Sequence, residues 1–196
     1  MAAFPGDPEF AAHRTHSIDR GDAYNVSALT LGSHAGTHLD PPRHFLPEGL
    51  TTEQLDLAVF NGPCIVLAVD PQRDTIGPED LARLPAGTQR VLFRTRNSDR
   101  WRLSPRFFPD YVGLSPAAAD SLLARGVRLV GIDALSIESD PTGTFPVHHQ
   151  LLNHGAIILE GLQLYDAPAG PYELACLPLR IQGGDGGPAR AVLLPL

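Results

Sequence analysis

Runs of hydrophobic residues predict strands along the whole chain, with helices between them only in the middle. Three runs are apolar at most positions, which is typical of buried strands. They cover residues 64–69, 127–132 and 156–160, and the run 90–95, with its apolar centre, predicts the strand between the first two. Partial alternation predicts further strands at 23–31, 172–181 and 191–194. The pattern indicates a mixed α/β fold with a curved or barrel-like sheet, in a single domain over residues 1–196.

Helix signals are strongest at two places in the middle of the chain. Gly77–Pro78 followed by two acids predicts a helix N-terminus, with the helix ending near Leu84. Ser115–Pro116 predicts a capped helix that runs to Arg125 and stops at Gly126. The remaining predictions are a turn-rich start at 1–22, short helices at 52–57 and 150–153, a polar loop at 96–100, and a loop at 141–147 that leads to two histidines.

Composition and charge narrow the classes of function. The chain has 196 residues, 43% hydrophobic and 19% charged, as in ordinary globular proteins. A net charge of −7 without any arginine- or lysine-rich run argues against a nucleic-acid partner. The sequence offers neither a leader pattern nor an apolar run of the roughly 20 residues that cross a membrane. Cys64 and Cys176 lie in apolar runs without a CxxC spacing, so we expect reduced thiols in a cytoplasmic protein.

The stretch 33–45 carries the candidate chemistry. Three histidines and one aspartate fall within eleven residues: His34, His38, Asp40 and His44. Imidazole nitrogen and carboxylate oxygen together suit zinc or another first-row divalent ion. A helix would place His34 and His38 on one face, whereas Gly36 favours an irregular turn that converges side chains. Either geometry can surround a metal ion, so we interpret the stretch as half of a metal site.

The other half of such a site has candidates more than a hundred residues later. His148, His149 and His154 precede Glu160, which ends an otherwise apolar strand. A carboxylate at a buried strand end is costly unless it is paired, hydrogen-bonded or bound to metal. The residue types leave open which of the three histidines joins Glu160.

The histidine-rich stretch resembles the signature of the cyclase-like metal hydrolases, a family that includes bacterial kynurenine formamidase and isatin hydrolase. The matching signature is long and specific: His34-x-Gly36-Thr37-His38-x-Asp40-x-Pro42-x-His44-Phe45. The resemblance covers nearly the whole chain, continuing through residues 5–7, 92–98, 130–133 and 148–160. It implies a swivelling β/β/α fold and an assembly into homodimers or homotetramers.

The resemblance also implies a set of metal ligands. It assigns a first divalent ion to His34, His38 and Asp40. A second ion would be held by Asp40, His148 and Glu160, with Glu160 within reach of both ions. The family places its late histidine twelve residues before the glutamate, which selects His148 over the other two candidates. Zinc fits the ligand set, and manganese is the alternative where carboxylates bridge two ions.

Two more residues have roles implied by the resemblance. His44 would be the catalytic acid/base rather than a ligand. Phe4 would bind substrate, since it takes the position where formamidases carry a stacking tryptophan, and a phenyl ring can still stack on an aromatic substrate. Family members usually have a strand-forming segment before the turn at 5–7, whereas this sequence begins almost at that turn. We therefore expect one sheet edge to be open or covered by a partner subunit.

The expected function is metal-assisted hydrolysis of a C–N bond in a small molecule, with His44 carrying the proton. Three amide substrates stay open: an aryl formamide such as N-formylkynurenine, a cyclic amide opened as in isatin hydrolysis, or the amide of an uncharacterised family member. A metal-dependent cyclase or dehydratase and a non-catalytic metal-binding module are the alternatives. A purely structural metal site would not require His44, which favours an enzyme.

Overall fold

The computed structural model describes residues 3–104, 106–140 and 142–196. The strands are β1 Ala11–His16, β2 Val26–Thr30, β3 His38–Asp40, β4 Asn61–Ala68, β5 Thr75–Ile76, β6 Arg90–Arg94, β7 Gly113–Leu114, β8 Leu129–Ile132, β9 Ile157–Glu160, β10 Gly170–Pro178 and β11 Gly187–Pro195. The α-helices are α1 Arg96–Leu103, α2 Pro116–Ala124 and α3 Pro146–Asn153. The 3₁₀ helices are Ile18–Arg20, Pro42–His44, Thr52–Gln54, Leu57–Val59 and Pro78–Arg83.

Seven strands close into a barrel in the order β10-β11-β3-β9-β8-β6-β4. The neighbours β4, β6, β8 and β9 pair in parallel, with α3 in the crossover between β8 and β9. The strands β3, β10 and β11 add antiparallel pairs. This barrel of mixed strands and helices confirms the predicted α/β fold class. Because the described strands of the barrel form a closed ring, the predicted open or partner-covered edge does not lie in the barrel. The separate two-stranded β1–β2 sheet has free edges, and whether a partner subunit covers them stays a prediction.

Both faces of the parallel strands are buried, which explains their apolar runs. Along β6, Leu92 packs in the cluster inside the barrel, while Val91 and Phe93 pack in the cluster between barrel and helices. The same alternation on β9 places Leu159 inside and Ile158 outside. Side chains alternate between the two faces of a strand, so a strand covered on both sides is apolar at every position.

The segment 96–100, predicted as a polar loop, is the first part of α1. Two side chains cap this helix. The Thr95 hydroxyl accepts a hydrogen bond from Asn97 N at 3.0 Å, and the buried Asp133 carboxylate accepts one from Ser98 N at 3.0 Å. Thr95 is a local N-cap signal that the prediction missed, whereas the Asp133 contact comes from a residue 35 positions beyond Ser98 and leaves no local signal.

The segment 150–153, predicted as a short helix after a loop, belongs to the longer α3. The two adjacent histidines, to which the predicted loop leads, therefore lie on this helix, and so do the last two residues of that loop, Pro146 and Val147. Pro141 of the loop lies outside the described residues. Pro146 at the first position of α3 suits a helix start, because its missing N–H would have no intrahelical partner there. The helices predicted at 52–57 and 77–84 form 3₁₀ turns instead.

The predicted turn-rich start contains β1, which pairs with β2 as an antiparallel hairpin outside the barrel. Every residue of both strands is exposed. The first two residues of that predicted segment lie outside the described part of the chain. Among the residues that the structure describes, the helices are all too short or too polar to cross a bilayer.

Candidate metal centre

The strand β3 presents His38 and Asp40 on its outer face. Leu39 between them packs inside the barrel, so the two polar side chains point the other way. Asp40 is completely buried, and His38 is nearly so. The His38 Nε2 atom lies 3.4 Å from Asp40 Oδ1. The His38 Nδ1–H donates to the Gly36 carbonyl at 2.9 Å, which leaves Nε2 to face the carboxylate.

His34 reaches the same carboxylate from the turn before β3. Its Nδ1 atom lies 2.8 Å from Asp40 Oδ1. Gly36 in this turn has a φ of +66°, in the left-handed region that glycine adopts without strain. The turn, rather than a helix, therefore brings His34 and His38 together, as the glycine in the sequence favoured.

Glu160 completes the sheet side of the cluster. The register of β3 and β9 places it directly opposite His38. Glu160 Oε2 lies 3.3 Å from His38 Nε2, and its Oε1 accepts a hydrogen bond from Ile137 N at 2.6 Å. Neighbouring strands thus hold side by side two side chains that lie far apart in the sequence.

The helix α3 contributes His148 from above the strands. Its Nε2 atom lies 3.4 Å from Glu160 Oε1 and 3.8 Å from Asp40 Oδ2. His149 and His154 are exposed, and the His154 ring nitrogen Nδ1–H donates to the Gln150 carbonyl at 2.8 Å. Of the three histidines that the sequence offered, only His148 lies within 4 Å of these carboxylates among the described contacts.

The cluster has the spacing and charge that a divalent cation requires. Two ligands about 2.1 Å from one tetrahedral ion lie roughly 3.4 Å apart, close to the separations found here. Asp40 Oδ2 is buried and has no hydrogen-bond partner among the described residues, so its lone pairs are available to coordinate a metal ion. The described residues that line the cavity beside this cluster include neither lysine nor arginine. A group of three, His34, His38 and Asp40, lies close enough to hold one ion.

The pKa values of two histidines show how strongly the site attracts positive charge. Burial lowers the pKa of His38, but Asp40 and Glu160 outweigh it and raise the pKa to about 10. Burial likewise lowers the pKa of His148, whereas Glu138 and Glu160 raise it to about 10. The carboxylates of this pocket therefore stabilise a cation at the point where the imidazoles meet.

His44 lies beside these residues in the 3₁₀ helix after β3. Its ring stacks on that of His34, with 3.9 Å between the ring centroids. Burial lowers the pKa of His44, which favours the neutral form of the ring. Asp40, His44 and His148 also form a group with metal-ligand spacing. The geometry thus permits His44 to act either as a proton carrier or as a ligand.

A cavity of about 230 Å³ opens beside the cluster. Its walls include the aromatic rings of Phe4, Phe45 and Phe145. Phe4 was predicted from the sequence, whereas the other two were not. Phe145 is the only described non-glycine residue with a positive φ, at 49°, and its ring lies 5.4 Å from that of Phe45. Strained backbone of this kind concentrates at functional sites, but it leaves no signal in the sequence.

A family profile described as "Putative cyclase" matches residues 2–139. The chain belongs to the cyclase family. This confirms the family that the histidine signature indicated.

One sequence relative and two solved structures are similar to nearly the whole chain. "Kynurenine formamidase" of Erythrobacter litoralis (strain HTCC2594) is 38% identical over 201 residues, which span 100% of this chain and 89% of that protein. A solved structure of a "potential metal-dependent hydrolase with cyclase activity" has a TM-score of 0.83 at 34% identity, covering 98% of this chain and 90% of the other. Isatin hydrolase A from Labrenzia aggregata, bound to benzyl benzoate, has a TM-score of 0.79 at 26% identity, covering 96% and 84%.

Proposed function

We propose that this protein is a metal-dependent amidohydrolase that cleaves the C–N bond of an aryl formamide, with N-formylkynurenine as the first substrate to test. The observation that carries the proposal is the buried Asp40 carboxylate. Two imidazoles face its Oδ1 atom, and a third approaches Oδ2, which lacks a hydrogen-bond partner among the described residues. The family membership and the full-length similarity to a kynurenine formamidase support the same activity.

The proposed ligands form two sets that share Asp40. The first set is His34, His38 and Asp40, and the second is Asp40, His148 and Glu160. We propose zinc, because imidazole-rich sites with carboxylates suit it, and manganese is the alternative. A bound divalent ion supplies Lewis acidity and lowers the pKa of a water molecule. Elemental analysis of protein purified without chelator measures both the identity and the number of ions.

His44 is the proposed acid/base. A neutral imidazole can take a proton from the attacking water and return it to the leaving amine nitrogen, so that water and amide become a carboxylic acid and an amine. The acid then ionises by releasing its proton to solvent. The lowered pKa of His44 supports this role, because the ring must be unprotonated to act first as a base. Asp40 and Glu160 lie within 3.5 Å of the neighbouring histidine nitrogens, and three phenyl rings line the cavity beside them.

Substitution of His44 tests both the proposed formamide hydrolysis and the proposed acid/base role of this residue. His44→Ala should lower kcat for N-formylkynurenine by at least about 100-fold, the range of general acid–base catalysis, and leave the metal content unchanged. His154→Ala is the matched control, because that ring is exposed and bonds only to a backbone carbonyl among the described residues. Turnover and metal content are measured on the same samples.

Each alternative predicts a different result. Unchanged activity in His44→Ala would exclude the acid/base role, and loss of metal would make His44 a ligand. Turnover of isatin but not of formamides would favour ring opening. If the metal-loaded protein does not hydrolyse formamides, isatin or lactams, the result would favour a cyclase or dehydratase. Metal binding without any turnover would leave a metal-binding module.

We also propose that the chain forms a single domain over residues 1–196 and assembles into a homodimer or homotetramer in the cytoplasm. Its proposed partner is a small-molecule substrate, without a nucleic acid or a membrane. The exposed β1–β2 hairpin supports assembly, because an isolated two-stranded hairpin is marginally stable in water. The buried free thiols of Cys64 and Cys176 are consistent with a reducing compartment.

A further inference from the structure

A buried carboxylate outside the proposed ligand sets lies directly behind His148. Glu138 is only 3% exposed. Its Oε1 atom accepts hydrogen bonds from the His148 ring nitrogen Nδ1 at 2.7 Å and from His148 N at 2.9 Å. Its Oε2 atom accepts a bond from Val147 N at 3.0 Å. One side chain therefore contacts both the backbone and the ring of the same histidine.

The backbone of Glu138 is fixed from several sides. The Tyr111 hydroxyl donates to the Glu138 carbonyl. A Cβ on Gly113 would lie 2.8 Å from Glu138 Cα, so the neighbouring strand β7 packs directly on this backbone. The preceding amide, Ile137 N, donates to Glu160 Oε1. Residues 137 and 138 thus contact two side chains of the cluster, Glu160 through the backbone and His148 through the carboxylate.

The hydrogen bond decides which ring nitrogen faces the cluster. A carboxylate only accepts, so Nδ1 of His148 must carry its proton, and the lone pair of the neutral ring then belongs to Nε2. Nε2 is the atom that lies 3.4 Å from Glu160 and 3.8 Å from Asp40. A negatively charged partner also makes the ring a stronger electron donor.

We infer that Glu138 is a positioning residue that orients His148 and selects its Nε2 atom for metal binding. The inference rests on the proposed metal site. A purely structural role, in which Glu138 only caps the start of α3, would use the two backbone bonds and not the bond to the ring. The test must therefore separate the stability of α3 from the behaviour of the His148 ring.

Three variants make this separation. Glu138→Gln removes the charge and turns an amide N–H toward a donor, either Val147 N or His148. Glu138→Asp keeps the charge on a shorter side chain. Asp140→Asn is the matched control: Asp140 accepts bonds from Thr144 N and Phe145 N just before α3, but it makes no bond to His148 among the described contacts. Thermal unfolding of each variant reports the structural cost.

Zinc affinity is measured by competition with a chromogenic chelator, and histidine ring ¹⁵N NMR of the zinc-loaded protein reports the tautomer. Glu138→Gln should weaken one ion by about 10-fold or more while the ion at His34 and His38 is retained. Glu138→Asp should recover part of the affinity, and Asp140→Asn should bind zinc as the wild type does. The wild-type spectrum should contain a buried ring with Nδ1–H and metal-bound Nε2 that Glu138→Gln shifts.

Equal zinc affinity and an unchanged tautomer in Glu138→Gln would overturn the inference and leave the proposed function intact. Equal weakening in Glu138→Gln and Asp140→Asn, in step with their loss of thermal stability, would assign Glu138 a capping role only. A wild-type protein that binds no divalent ion would instead overturn the proposed function, and the inference with it.

Discussion

Asp40 is the residue on which the charge balance of the cluster depends. Its carboxylate is fully buried, which by itself raises the pKa, yet the hydrogen bonds and charges of His34 and His38 hold that pKa well below its usual range. A buried carboxylate that stays ionised requires nearby positive charge. Protonated imidazoles or a metal ion can each supply that charge, and the pocket lining contains no arginine among its described residues. The residue therefore links the folding of β3 to cation binding.

Phe145 yields a prediction about substrate selection. Its ring walls the cavity, and backbone N–H groups of the turn 142–145, among them Phe145 N, donate to the Asp140 carboxylate and fix the turn. Phe145→Ala should raise KM for an aryl formamide about 10-fold, because loss of an aromatic contact costs about 1–1.5 kcal/mol, with a smaller effect on kcat. Steady-state kinetics with an aryl and an alkyl formamide measure the effect.

The matched control for Phe145 is Phe10→Ala, which removes a ring that is 39% exposed and does not line the cavity. The alkyl formamide should lose much less affinity in Phe145→Ala than the aryl substrate does. An equal rise in KM for both substrates would mean that Phe145 shapes the cavity as a whole and does not recognise the ring.

At the scale of elements, the cluster depends on a close approach between the turn before β3 and the end of β9. Gly161 has a φ of +66°, and a Cβ there would lie 2.0 Å from the Gly36 carbonyl oxygen. The Thr37 hydroxyl donates to the Gly161 carbonyl at 2.7 Å across the same contact. A side chain at Gly161 would have to push the turn, and with it His34, away from Glu160.

Gly161→Ala should therefore weaken zinc binding and destabilise the fold, whereas Gly155→Ala should destabilise the fold without weakening zinc binding. Gly155 has a similar φ of +72°, but a Cβ there would meet no described atom within 4 Å, so its cost is the left-handed backbone strain of about 1–2 kcal/mol. Urea unfolding of the metal-free protein and zinc titration give the two quantities. Equal zinc affinity in both variants would show that the close approach does not set the ligand geometry.

The sequence predicted these elements where their own side chains carry the signal. The central residues of β6 and the first three of β9 are apolar because the barrel interior covers one face and the helices cover the other, and the cap and the stop of α2 lie next to it in the sequence. The helix α1 was not predicted although its cap Thr95 stands in the sequence directly before it, and its second cap, Asp133, follows β8 and gives no local signal. Glu160 lies near Asp40 because of the register between β3 and β9, and His148 lies near Asp40 because of the position of α3. The spacing of residues did not decide which of the three late histidines joins the site, whereas the family resemblance selected His148.

At the scale of the whole molecule, the β1–β2 hairpin is one of the described places where large apolar side chains are exposed. Apolar side chains are exposed on the β1–β2 hairpin and the connection within it: Ile18, Tyr24, Val26 and Leu29. A two-stranded hairpin with every strand residue in water lacks the burial that normally stabilises it. Association with a second copy of the chain would bury these side chains, which is the physical basis for the proposed oligomer.

Leu29→Arg should therefore weaken self-association, while Leu103→Arg should not. Leu29 is 60% exposed on β2, and Leu103 is 87% exposed at the end of α1, which is not part of the hairpin. Burial of a leucine contributes about 1.5–3 kcal/mol, and a two-fold dimer contains the residue twice, so the dissociation constant should rise at least about 100-fold. Light scattering across a dilution series measures it. A wild-type protein that stays monomeric at micromolar concentration would contradict the role of the hairpin. Equal assembly of both variants would contradict it too, because a charge placed in a buried apolar contact must lower the affinity between the subunits.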